Sequence, residues 1–171
     1  MVMIDLITGF LGSGKTTFLK KYAEYLMDQG LHIGILENDF GAINVDMLML
    51  HELRGDQCEL EMIAGGCDAE SHRRRFRTKL ISMRMCGYDR VLVEPSGIYD
   101  VDEFFDVLRE EPLDQWYEIG NVIAILDARL ENNLSQQADY LMASEAANAG
   151  KVILSHADAA TREQCEDTVA H

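Results

Sequence analysis

Eight residues near the start of the chain, GFLGSGKT, combine three glycines, a lysine and a hydroxyl at spacings that suit a polyphosphate. Gly9, Gly12 and Gly14 let the backbone turn its N–H groups toward phosphate oxygens without Cβ clashes. Lys15 can reach β- and γ-phosphates, and the Thr16 hydroxyl can ligate Mg²⁺. The apolar run VMIDLI precedes the loop, and KTTFLKKYAEYLMDQG follows with Phe18, Leu19, Tyr22 and Leu26 at helical spacing. A strand before and a helix after separate a working phosphate loop from a glycine-rich turn with an incidental lysine. The helix N-terminus behind the loop adds partial positive charge. The implied ligand is a nucleoside triphosphate or its diphosphate.

Further candidates sit where other apolar runs end. LENDFG offers Glu37 and Asp39, and VLVEPSG offers Glu94 with Gly97 three residues on. A carboxylate ending such a strand can hold Mg²⁺ directly or through water, and the glycine N–H can point toward a γ-phosphate. The stretch IAGGCDAESHRRRFR places Cys67 after a glycine pair, then acidic residues, His72 and a run of arginines. The arginine run reads as the solvated face of a helix. VILSHAD closes the last apolar run with Asp158.

The elements that must position these residues alternate. Strands are expected at VMIDLI, HIGILEND, CELEMI, RVLVEPS, NVIAILDA and KVILS. Helices are expected after the phosphate loop, from about Ser71 to Met85 with Ser71 as cap, around DVDEFFDVLREE, through LSQQADYLMASEAANAG, and from Thr161. Near-continuous Val/Ile/Leu strands alternating with helices predict a mostly parallel sheet covered on both faces, with ligands at the carboxyl ends of the strands. At 171 residues and 47% hydrophobic, the chain suits one domain, 1–171. A net charge of −15 argues against a nucleic-acid partner, and no run is long and apolar enough to span a membrane. Cys58, Cys67, Cys86 and Cys165 follow no disulfide framework, which favours reduced thiols and a cytoplasmic setting. Cys58, Cys86 and Cys165 read as small apolar residues on strands or helices.

Taken together, GFLGSGKTT, ENDFGAINVD, GGC, EPSG and SHAD occur in the order of the CobW-type P-loop GTPases, relatives of the HypB and UreG metallochaperones, which this chain resembles from Met3 to Asp158. The resemblance implies a three-layer P-loop fold that binds GTP or GDP and hydrolyses GTP slowly. The resemblance further implies that nucleotide state is coupled to zinc, cobalt or nickel delivery, or to cobalamin synthesis. It assigns the phosphates to Gly9–Thr17, including Ser13 and Thr17, and Mg²⁺ to Thr16, Asp39 and Glu94. It makes Lys15, Asp39 and Glu94 the catalytic group, with Asp39 or Glu37 orienting water and Asp158 reading guanine. Implied partners are the nucleotide, a metalloprotein or cobalamin-pathway client, and a second copy in a homodimer.

Three departures qualify the match. Cys67 is the first cysteine of the family's Cys-x-Cys-Cys motif, but the other two positions hold Ala69 and Glu70. One thiolate does not make a tight Zn²⁺ site. Either Glu37, Asp68, Glu70 or His72 joins Cys67 at a harder, weaker site for Zn²⁺ or Co²⁺, or the site is degenerate. Second, Ser155-His156-Ala157-Asp158 keeps the aspartate of the guanine motif but alters its asparagine and lysine, leaving GTP against ATP open. Third, the sequence stops before the family's usual last strand and C-terminal domain. The rival readings are a non-hydrolysing nucleotide or protein-binding module and a small-molecule kinase.

Overall fold

A computed structural model describes residues 1–9, 15–39, 50–64, 69–95, 101–127 and 151–155. Six strands, β1 (Val2–Thr8), β2 (Ile33–Asp39), β3 (Cys58–Ala64), β4 (Arg90–Pro95), β5 (Tyr117–Asp127) and β6 (Lys151–Ser155), form one sheet in the order β3-β2-β4-β1-β5-β6. Every adjacent pair is parallel. The described helices are α1 (Lys15–Asp28), α2 (Ala69–Arg84), α3 (Val101–Arg109) and a single turn, α4 (Leu113–Trp116). None of them is long and apolar enough to cross a membrane.

The two-residue period of the strands divides the core. Val2, Ile4 and Leu6 of β1, with Val91 and Val93 of β4, pack against Phe76 and Leu80 of α2 and Phe104 and Val107 of α3. Ile7, Leu92 and Ile35 point the other way, onto Leu19, Ala23 and Leu26 of α1. Both faces are therefore covered, which is why these strands are apolar almost without interruption. β3 is an edge, with intermediate exposure at Glu59, Leu60 and Glu61, as its polar–apolar alternation predicts.

One charged group interrupts the core. Asp5 is fully buried on β1 and accepts hydrogen bonds from Arg90 Nε at 2.5 Å, Arg90 Nη2 at 2.9 Å, Tyr22 Oη at 2.7 Å and the Asn121 backbone N–H at 2.6 Å. The register between β1 and β5 shifts at this point, from Ile4 opposite Ile119 to Leu6 opposite Val122. The bulge delivers the Asn121 N–H to the carboxylate, and a Cβ on Gly120 would lie 2.2 Å from Asp5 Oδ1. Tyr22, expected as one more apolar residue of the α1 stripe, spends its hydroxyl on this network.

The expected elements form, with differences at their ends. α2 begins at Ala69, so Ser71 lies within its first turn and does not cap it. α2 stops at Arg84, which leaves Cys86 exposed in the turn beyond and corrects its reading as a small apolar residue on a strand or helix. Cys58 is buried on β3 as expected. α4 and a 3-10 turn at His51–Leu53 were not anticipated. Both are too short to show a period. The helices expected through LSQQADYLMASEAANAG and from Thr161 lie outside the described residues.

Candidate functional site

β1 lies between β4 and β5, so its carboxyl end opens beside the end of β4. Gly9 leaves β1 with φ 143, a conformation that strains any residue with a Cβ. The chain is next described at Lys15, where α1 begins. The first turn of α1 carries no acidic residue, so the positive end of its dipole is not neutralised by its own side chains. Lys15 and Thr16 are both buried there, at 6% and 8% exposure. Thr17 faces solvent.

The Thr16 hydroxyl donates to Glu94 Oε1 at 2.8 Å, joining residues 78 apart in the chain. Glu94 is 1% exposed near the end of β4, and Glu37 of β2, equally buried, stands beside it in register. Neighbours Leu36 and Val93 pack toward α2 and α3, so alternation turns both carboxylates toward α1. Adjacent strands run about 4.8 Å apart, so the two carboxyl groups share one small volume. Two buried carboxylates repel each other unless cationic charge is held against them. Lys15 supplies one positive charge at this end of the sheet. The hydroxyl and carboxylate oxygens form a hard donor set of the kind Mg²⁺ takes.

Asp39 closes β2, paired in register with Ala64; its side chain lies outside the described atoms. Gly12, Ser13, Gly14, Cys67, Gly97 and Asp158 fall outside the described residues. Of the residues expected to supplement Cys67, Glu70 is exposed in the first turn of α2. His72 is buried, with Nδ1 3.0 Å from Glu103 Oε1 of α3. Among the described residues no group of three or more His, Cys, Asp or Glu could hold a metal ion. Sequence reasoning passed over Thr8, whose buried hydroxyl, just before Gly9, has no hydrogen-bond partner among the described residues. A polar residue between Ile7 and Gly9 was the signal available.

The sequence profile described as "CobW/HypB/UreG, nucleotide-binding domain" matches residues 3–171. The chain belongs to this family. It is 28% identical to the zinc chaperone YeiR of Escherichia coli over 95% of its length, and 29% identical to the zinc chaperone YjiA of the same organism over 93%. It spans 49% and 50% of those two proteins, about half of each. The crystal structure of Zn(II)-bound YjiA GTPase covers 99% of the chain at TM-score 0.59 and 21% identity, with 54% of that structure matched. The signal recognition particle receptor FtsY of Elizabethkingia anophelis, in complex with GDP, covers 96% at TM-score 0.66 and 20% identity, with 52% of that structure matched. At such identity the structural likeness speaks for the fold: a parallel sheet flanked by helices, as in P-loop GTPases.

Proposed function

We propose that this chain binds GTP with Mg²⁺, hydrolyses it slowly, and couples the nucleotide state to the handling of a metal ion in the cytoplasm. The observation that carries the reading is the buried hydrogen bond between Thr16 at the head of α1 and Glu94 near the end of β4. It brings the hydroxyl of the phosphate loop and the carboxylate of E-x-x-G to one point, beside Glu37 and near the buried Lys15.

In this reading Thr16 and Glu94, with Asp39, hold Mg²⁺, which when bound neutralises charge on the β- and γ-phosphate oxygens. The backbone from Gly9 to Thr17 and the α1 N-terminus cradle the phosphates, and Gly97 donates its N–H toward the γ-phosphate. Lys15 holds its ammonium against the bridging region, where negative charge grows in a loose transition state. Asp39 or Glu37 orients the attacking water, and Asp158 accepts hydrogen bonds from guanine. No arginine finger is evident in the sequence, so the intrinsic rate is low. The cargo is zinc or cobalt; the names of the relatives favour zinc. Cys67 and Glu37 are its proposed ligands. A metalloprotein is the proposed client, one on a cobalamin pathway included.

Calorimetric titration with GTP, and separately with ATP, in Mg²⁺ tests the reading, with Lys15→Ala as control. The expected result is GTP binding that ATP does not match and that Lys15→Ala abolishes. Unchanged GTP hydrolysis in Lys15→Ala would defeat the proposal. Equal or absent binding of both nucleotides would put the base site in doubt and move the chain toward the non-hydrolysing module.

A further inference from the structure

Asp5 is a charged residue buried on an interior strand, and its network reaches beyond the sheet. Arg90 and the Asn121 backbone N–H bind the carboxylate from β4 and β5. The remaining donor comes from α1. Tyr22 Oη donates to Asp5 Oδ2 at 2.7 Å and accepts from Asn121 Nδ2 at 3.1 Å. The Tyr22 ring is half-buried and stacks on Phe18, with centroids 5.8 Å apart. Burial, and then the bond to Asp5, raise its pKa above the usual 10.0, so the hydroxyl keeps its proton and stays a donor.

Apolar packing does not fix where α1 stops along the sheet. Leu19, Ala23 and Leu26 pack with Ile7, Ile35 and Leu92. A slide of about 1 Å would keep most of that burial, because the hydrophobic effect has no direction. A hydrogen bond has one, and weakens steeply when its geometry is lost. Thr16 meets Glu94 at 2.8 Å at the head of α1, and Tyr22 meets Asp5 further along the helix. Thr16 and Tyr22 are about 9 Å apart along the helix axis. Asp5 is level with Leu92 on β4, two residues before Glu94, or about 7 Å along the sheet. Bonds so separated fix both the height and the tilt of α1, which carries Lys15 and Thr16 at its head. A buried ionic network seldom adds net stability over an apolar core, and its best-attested use is to fix register.

We infer that Tyr22 is a positioning residue for the Mg²⁺–nucleotide site: through Asp5 it sets the height of α1 on β1, and so places the Thr16 hydroxyl and the Lys15 ammonium at the strand ends. The ligand in this inference rests on the proposed nucleotide reading; the setting of Thr16 by Tyr22 stands apart from it.

Two measurements on the full chain test the inference. The first needs no nucleotide: urea denaturation of wild type, Tyr22→Phe, Thr16→Val and the double variant. Phe keeps the ring and Val keeps the shape of Thr, so each change removes one hydroxyl. Losses at sites more than about 7–10 Å apart that share no partner ordinarily add. Here the double variant should lose less than the sum, since releasing either bond loosens the other. Additive losses would overturn the inference.

The second measurement is titration with GTP at graded Mg²⁺ concentrations, and it decides alone should Thr16→Val fail to fold. Tyr22→Phe should need about tenfold more Mg²⁺ for the same affinity. Asn121→Ala removes the amide that donates to Tyr22 and keeps the backbone N–H on Asp5, so its requirement should fall between Tyr22→Phe and wild type. Val107→Ala, which loses core packing in the layer of α2 and α3, should lower stability and leave the Mg²⁺ requirement unchanged. An unchanged requirement in Tyr22→Phe, or an equal shift in Val107→Ala, would reduce Tyr22 to a structural residue and sink the idea. If the wild-type chain binds no GTP at any Mg²⁺ concentration, the nucleotide reading fails, and the denaturation cycle decides whether Tyr22 sets Thr16.

Discussion

Thr16 and Glu94 show how much a single residue type can announce. A hydroxyl after Gly-Lys and a carboxylate ending an apolar run could each be singled out from local spacing, and the structure joins them by a buried hydrogen bond. Glu37 was legible as an acidic residue at a strand mouth, but its burial beside Glu94 was not, because strand neighbours in space are not neighbours in sequence. The two described cysteines separate in the same way. Cys86 is exposed, whereas burial, and then the charge of Glu59, push the Cys58 thiol from 9.0 up to about 11. Below pH 9.0 the folded and unfolded thiols both keep their proton, and the stabilising contribution is complete. As pH rises toward 11 the unfolded chain ionises first, so that contribution is lost across the window. The advantage of wild type over Cys58→Ala should therefore shrink as pH rises from 9.0 toward 11. Urea denaturation of both proteins at the two ends of the window measures it, and a constant difference would refute the assignment.

At the scale of elements, patterning located every described strand, because the alternation of long apolar runs with helices has few other solutions. The start of α2 was misplaced by taking Ser71 for a cap. The bulge in β5 could not be foreseen at all: it depends on Asp5, more than a hundred residues earlier, capturing the Asn121 N–H. That dependence makes Gly120 a sensitive position. A methyl group there would meet Asp5 Oδ1 at 2.2 Å and Arg90 Nη2 at 2.8 Å, both held in a buried network. Gly120→Ala should cost about 2–4 kcal/mol, measurable as a lower urea midpoint. A substitution tolerated within about 0.5 kcal/mol would mean that the network has room to move.

For the whole molecule, the balance of charge sets how ligands arrive. A chain at −15 should repel a Mg²⁺-nucleotide complex at long range, whatever the proposed phosphate loop contributes at contact. Added salt screens that repulsion beyond about 10 Å at 0.1 M. The association rate of a fluorescent GTP analogue should thus rise with ionic strength in stopped-flow mixing. A falling rate would reveal a local positive funnel that outweighs the global field.

The sequence by itself determined the strand–helix alternation and the family, because each depends on local spacing or on the order of short motifs. Only the tertiary structure decided the strand order β3-β2-β4-β1-β5-β6, which sets Glu94 against Thr16 and Glu37 beside it. It also decided which arginines of HRRRFR are consumed by Glu110 and which line a groove, since helical phase acquires meaning only once a neighbour is packed against it. Periodicity states that a face exists, and long-range packing states what that face meets.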